Sequence, residues 1–178
     1  MIVETTQTKT SFTVVGSILA FILQVALAPH IAILDVVPNF ILLFVVLNAI
    51  FNTQTRSCVT GFILGLLYDC ISLEALGVMS FVLAIIAYVV SSFDKDLFAN
   101  GWIIQAFFLL IAAFFGELFH AAFLSILGYD NDFLRSLGMR VIPGGIYEGV
   151  IGLIILPVLS LYGKRRRKDS EFLKGKLS

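Results

Sequence analysis

The chain has 178 residues, of which 59% are hydrophobic and only 13% are charged, and its mean hydropathy is +1.00. Soluble domains carry about 25% charged residues, so this composition excludes a water-soluble fold and predicts a single membrane domain. The charges of the twelve basic and twelve acidic residues cancel, so the net charge is uninformative. The distribution of the charges along the chain is informative.

Six apolar segments follow one another, at 12–34, 38–52, 57–71, 76–92, 101–127 and 141–162. A transmembrane helix needs about 17–25 mostly apolar residues, and the second and third segments are short by that measure. The sequence predicts an all-α polytopic membrane protein with six transmembrane helices in residues 12–162. An N-terminal tail of residues 1–11 and a basic tail of residues 163–178 flank this domain.

Two questions about the spans stay open. Ala26-Leu27-Ala28 resembles a signal-peptide cleavage site, but Pro29 follows directly and five more apolar segments come later, which favours a retained helix. Segments 38–52 and 57–71 form either two short spans or a re-entrant hairpin. A hairpin would bury Arg56 in the membrane at a cost of about 2.5–3.5 kcal/mol or more, so two spans are favoured.

The basic residues predict the orientation. Lys164-Arg165-Arg166-Arg167-Lys168 directly follows the last apolar segment, and lysine and arginine accumulate on the cytoplasmic side of membrane proteins. With six spans, both termini are cytoplasmic, and ten of the twelve basic residues then lie on that side. Arg135 and Arg140 are the exceptions. The longest outer loop, 128–140, has no room for an extracellular enzyme domain.

A helical face of small residues ends on an acid in the third segment. Gly61, Gly65 and Asp69 are spaced by four residues and share one face of a helix, where glycines let a neighbouring helix approach closely. Two interpretations of Asp69 stay open: it docks a partner or ligand laterally, or it ends the third helix in the outer headgroup region. The glycine face favours a packing role.

Other polar residues lie within the apolar segments. Glu117 and His120 share a face of the fifth helix and predict an internal hydrogen-bonded pair, with a proton-coupled site as the alternative. Glu148 lies between Gly144 and Gly152 on the sixth helix, where His120 or Arg140 is its expected partner. Gln24, Gln105, Asn48 and Asn52 are expected to donate hydrogen bonds between helices.

Nothing in the sequence predicts an enzyme, a cofactor or a metal site. It has no glycine-rich phosphate loop and no Ser/His/Asp set in a plausible aqueous pocket, and one histidine with one glutamate falls short of a ligand set. The basic run after the last segment is a topology anchor that attracts anionic lipid, and no nucleic-acid partner is expected.

Several short motifs follow one another along the chain: Val37-Pro38-Asn39-Phe40, the run from Gly61 to Asp69, Leu76-Gly77-Val78, and Arg140-Val141-Ile142-Pro143. Their order resembles the MreD family of rod-shape-determining membrane proteins, and the resemblance covers residues 12–168. The positions that match the family motif are Pro38, Asn39, Gly61, Gly65, Asp69 and Gly77.

The resemblance implies a non-enzymatic scaffold in the bacterial inner membrane. Its implied partner is the single-span protein MreC and, through it, the polymerase RodA, a penicillin-binding transpeptidase and the actin-like MreB. It also implies a bundle like the substrate-binding S components of vitamin transporters, and such a transporter subunit is the alternative function. The scaffold hypothesis expects no small-molecule substrate and expects a partner to bind an outer-leaflet face that includes Asp69. A proton-coupled transporter using Glu117 and His120 is a weaker alternative, because no internal repeat is evident.

Overall fold

A computed structural model describes residues 2–33, 36–72, 75–93, 98, 102–129 and 132–154. These residues form six helices: α1 Ile2–Ala26, α2 Phe40–Phe51, α3 Gln54–Ser72, α4 Val78–Ser92, α5 Trp102–Ile126 and α6 Phe133–Ile154. A single 3₁₀ turn, Ala28–Ile31, follows α1. Within the described residues the only β pairing is an isolated bridge between Ile33 and Val36, so the all-α prediction is confirmed.

Helix α2 occupies the centre of the bundle. It contacts α1, α3, α4 and α5, and most of its residues are buried. Most of the largest fully buried apolar side chains come from α2, α4 and α5; they include Ile41, Leu42, Val45, Val46, Met79, Leu83 and Leu109. A helix that is apolar on all sides belongs in the interior, which explains why this short segment is the core element.

Helices α3 and α4 form a tightly packed hairpin because two glycines of α3 face the α4 backbone. A Cβ atom on Gly61 would lie 2.7 Å from the Leu83 carbonyl oxygen, and one on Gly65 would lie 2.7 Å from both the Met79 carbonyl oxygen and the Ser80 nitrogen. The glycine face predicted from the sequence is therefore occupied by α4. The hypothesis that this face receives a helix of another protein is wrong for Gly61 and Gly65.

Helix boundaries differ from the sequence prediction at both ends of the bundle. Helix α1 begins at Ile2 and ends at Ala26, so residues 2–11 extend the first helix where a tail was expected. The last described helix begins at Phe133, inside the predicted outer loop. Its π-helical turn, Leu137–Val141, ends two residues before Pro143, whose missing N–H disrupts a regular α-helical ladder. Residues 155–178, with the basic tail, lie outside the described residues.

Two described helices are long and apolar enough to cross a bilayer by length and composition, Ile103–Ile126 and Phe133–Ile154. Three shorter apolar helices, Thr13–Ala26, Phe40–Phe51 and Val78–Ser92, accompany them. Six helices with this composition agree with a polytopic membrane protein. Segments 38–52 and 57–71 form the separate helices α2 and α3, and their full crossing stays a prediction.

The close α3–α4 contact predicts that Gly65→Ala destabilises the bundle. The added methyl group would overlap backbone atoms of α4, and such overpacking costs about 1–3 kcal/mol. The free energy of unfolding in mixed micelles measures the loss. The control is Gly138→Ala, because a Cβ at Gly138 meets no described atom within 4 Å. Equal stability of the two variants would contradict the packing account.

Candidate functional site

Helix α4 begins inside the bundle and is capped by an acid from α3. The Asp69 carboxylate accepts hydrogen bonds from the Gly77, Met79 and Ser80 backbone N–H groups at 3.0, 3.0 and 3.1 Å. The Ser80 hydroxyl donates a fourth bond at 2.7 Å. The first N–H groups of a helix have no partner within the helix, and a carboxylate at that end is also favoured by the helix dipole.

This cap bears on the interpretations of Asp69. Its side chain is 1% exposed and both of its oxygens already accept hydrogen bonds within the chain, which leaves no exposed oxygen for a lateral partner. The position of Asp69 relative to the headgroup region stays a prediction. Gly77 makes the cap possible, because its φ of +94° turns the chain into α4 in a conformation that favours glycine. Asp69 and Gly77 thus form the cap of α4 together.

Three side chains cap the start of α2 in the same way. The Asn39 side-chain oxygen accepts from the Leu42 N–H at 2.9 Å, and the Gln24 oxygen accepts from the Phe40 N–H at 2.8 Å. Glu148 Oε1 accepts from the Asn39 N–H at 3.0 Å. Because Gln24 lies on α1 and Glu148 on α6, this junction ties three helices together.

The junction corrects two expectations from the sequence. Glu148 is fully buried, and its described hydrogen bond comes from the Asn39 backbone, where His120 or Arg140 had been expected. Gln24 accepts a hydrogen bond where it had been expected to donate one. The capping role of Asn39 could have been predicted from the sequence, since asparagine before an apolar run is a common N-cap. Pro38, also buried, immediately precedes it.

A pocket of about 310 Å³ adjoins this junction. It lies between the ends of α1 and α3, the middle of α5 and the first half of α6, on the side of the bundle that the basic residues predict to face outward. Ten residues line it: Gln24, Pro29, Val36, Val37, Tyr68, Ile71, Ser72, Glu117, Arg140 and Gly144. Gln24 both caps α2 and lines the pocket, so the start of α2 lies close to the pocket wall.

The intramembrane acids and the histidine lie near this pocket. Glu117 lines it and is close enough to Glu148 for the two carboxyl groups to interact electrostatically. The His120 ring is buried and meets the Tyr68 ring edge to face at 6.4 Å. The predicted hydrogen bond between Glu117 and His120 stays a prediction. Among the described residues, Glu148 Oε2 and the Asn39 side-chain nitrogen have no hydrogen-bond partner.

The described residues form a concave site that is suited to binding a ligand or a peptide. They do not assemble a reactive centre. No three His, Cys, Asp or Glu side chains converge as metal ligands in the described part of the chain. The pocket instead joins apolar surface from Val36, Val37 and Ile71 to one acid and one base, Glu117 and Arg140. A concave apolar surface with a few polar groups is the usual form of a recognition site.

Comparison with known proteins identifies the family. The sequence model of the rod shape-determining protein MreD matches residues 6–166. The chain belongs to the MreD family. No curated protein and no solved structure matches it. MreD proteins are shape-determining membrane proteins and not an enzyme family, which agrees with the helical, apolar architecture described above.

The α4 cap makes a prediction for this MreD-family protein. Asp69→Leu should remove four hydrogen bonds and leave buried N–H groups unpaired, at about 1–3 kcal/mol for each such group, so folded protein should be lost from the membrane. Asp69→Asn keeps one acceptor oxygen and should retain part of the folded population. The folded fraction by size-exclusion chromatography in mild detergent measures this. Wild-type recovery of Asp69→Leu would contradict the capping role.

The α2 cap makes a second prediction. Glu148→Gln retains an oxygen that can accept from the Asn39 N–H, so folding should stay close to wild type. Glu148→Leu removes that acceptor and should cost about 1–3 kcal/mol. Thermal unfolding of the two variants side by side measures the difference. If Glu148→Gln is as unstable as Glu148→Leu, the negative charge matters more than the acceptor and the capping account fails.

Proposed function

We propose that this protein is a non-enzymatic scaffold of the bacterial cell-elongation complex, acts with MreC, and is required for rod shape and peptidoglycan synthesis. Membership of the MreD family supports this role. Through MreC the scaffold joins RodA, a penicillin-binding transpeptidase and MreB. The protein resides in the inner membrane with both termini in the cytoplasm, in agreement with the ten-to-two distribution of basic residues.

The observation that carries the proposal is the pocket beside the start of α2. The glycine face of α3 and the Asp69 carboxylate are both engaged within the chain, so partner binding needs another surface. The pocket lies on the side of the bundle predicted to face outward, where the periplasmic part of a single-span partner begins. Its apolar wall and its opposite charges, Glu117 and Arg140, suit a peptide segment that leaves the bilayer.

Filling the pocket should block the partner without disturbing the fold. A Cβ on Gly144 would meet Val36 Cγ1 at 3.5 Å and Glu117 Cγ at 3.8 Å. These are ordinary contacts, so Gly144→Leu is tolerated while the rest of the side chain enters the pocket. We expect MreC co-purification to fall about tenfold, which corresponds to about 1.4 kcal/mol.

The matched control for this experiment is Gly138→Leu. It adds the same side chain on the same helix, where a Cβ meets no described atom within 4 Å. The control should retain MreC at the wild-type level. Normal co-purification of MreC with Gly144→Leu, at equal amounts of membrane protein, would reject the pocket as the docking site.

A substrate-binding subunit of a vitamin transporter is the second candidate, because the pocket volume is compatible with a small ligand. About 310 Å³ is at the lower end of the range of about 300–1,000 Å³ for small-ligand sites. Mass spectrometry of the protein purified from its native membrane separates the two functions. A bound vitamin together with coupling ATPases would support the transporter, whereas MreC with cell-wall synthases supports the scaffold.

A further inference from the structure

Glu148 lies directly behind the wall of the pocket. Gly144 lines the pocket and precedes Glu148 by four residues on α6, so the two share one face of the helix, with Cβ positions about 5–6 Å apart. A Cβ on Gly144 would lie 3.8 Å from Cγ of Glu117, which also lines the pocket. Glu117 and Glu148 therefore approach each other at the pocket wall, and we call them the carboxyl pair.

Glu148 has one oxygen that its capping role does not use. Oε1 accepts the hydrogen bond from the Asn39 N–H at 3.0 Å, whereas Oε2 is buried and has no hydrogen-bond partner among the described residues. A buried acceptor without a donor costs free energy, and the large majority of buried polar atoms in proteins are paired. A single amide oxygen would suffice for the cap, so the second oxygen of Glu148 indicates a further donor that the described residues do not supply.

The charges around the pocket do not balance. Glu117 and Glu148 are close enough to interact electrostatically, and Arg140 is the only basic residue among the ten that line the pocket. When ionised, the carboxyl pair exceeds the Arg140 guanidinium by one negative charge, whatever contacts Arg140 makes. Like charges repel strongly where water is excluded, and a buried charge needs a partner. One further positive charge would balance the site.

The shape of the pocket suits a long basic side chain. Val36, Val37 and Ile71 supply apolar wall, and Glu117 supplies the acid. Lysine and arginine bury their aliphatic stems along apolar surface while the charged group stays with a polar partner. The pocket therefore offers one surface for the stem and another for the charge.

We propose that the docking segment of the partner inserts a lysine or arginine side chain into the pocket, where its charged group pairs with the carboxyl pair. Glu117 contacts the charged group because it lines the pocket, and Glu148 adds its charge and its unpartnered oxygen from behind. The inference rests on the proposed function for the identity of the partner, MreC. A small amine tests the chemistry of the site without that partner, so the two proposals can fail separately.

The amine is n-butylammonium, which has the stem and the charge of a lysine side chain. The readout is the midpoint temperature of unfolding of the full chain in mild detergent and low salt at pH 8, above the ordinary pKa of histidine. The midpoint should rise by about 2–4 °C near saturation. 1-Butanol lacks the charge and tetramethylammonium lacks N–H donors, so neither should raise it. No rise with n-butylammonium, or an equal rise with either control compound, would overturn the proposal.

Variants assign the effect to the carboxyl pair. Glu117→Gln and Glu148→Gln each remove one negative charge and keep an oxygen acceptor, so folded protein should form and n-butylammonium should leave its midpoint unchanged. Asp132→Asn removes an acid at the start of α6, outside the residues that line the pocket, and this control should respond as the wild type does. A wild-type rise in either glutamine variant would reject the carboxyl pair as the site.

Co-purification with MreC tests the partner side. Both glutamine variants should retain about tenfold less MreC than the wild type, and Asp132→Asn should retain the wild-type amount. In MreC, methionine replaces each lysine and arginine next to the span, one at a time. One replacement should have the same effect and add nothing to Glu148→Gln, because both remove one interaction.

Two outcomes would overturn the basic side chain in distinguishable ways. If MreC is lost with Gly144→Leu but retained with both glutamine variants, the docking site stands and only the basic side chain is rejected. Native mass spectrometry supplies the other outcome. Phosphatidylethanolamine bound to the wild type and absent from Glu148→Gln would assign the carboxyl pair to a lipid amine.

Discussion

The fold depends on satisfying helix N-termini that begin inside an apolar bundle. Helices α2 and α4 start where their first N–H groups are buried, and an unsatisfied group in such surroundings costs several kcal/mol. Asp69 from α3 supplies acceptors for α4, and Gln24 and Glu148 supply them for α2. Each cap comes from a different helix, so satisfying the backbone also fixes how the helices pack.

The short central helix has a consequence for function. Helix α2 begins at Phe40, after a chain segment in which Val36 and Val37 line the pocket. The pocket walls therefore belong to elements that converge on the capped junction, through Gln24 of α1 and the α6 residues near Glu148. The capped junction therefore supports the proposed docking surface, and a surface that is held in place before binding loses less entropy when a partner binds.

The sequence supplied the helix count and most of the polar residues that matter, but not their partners. Asp69 stood out through its spacing from Gly61 and Gly65, yet its hydrogen-bond donors lie on the next helix, and spacing within one helix does not reveal them. Glu148 was evident as a rare acid in an apolar segment, while its bond to Asn39 joins residues 109 positions apart. The start of α6 was missed because the last continuous apolar segment was taken to begin at residue 141, whereas the helix begins at Phe133 within the predicted outer loop.

The central claim is that the outward pocket docks MreC, and photocrosslinking in living cells tests it most directly. A benzophenone amino acid replaces Ile71, which lines the pocket, or Leu66, which lies on the exposed face of the same helix. The account predicts a crosslink to MreC, identified with an antibody, from position 71 and none from position 66. Crosslinking to MreC from position 66 alone would contradict the claim and place the partner on the exposed face of α3.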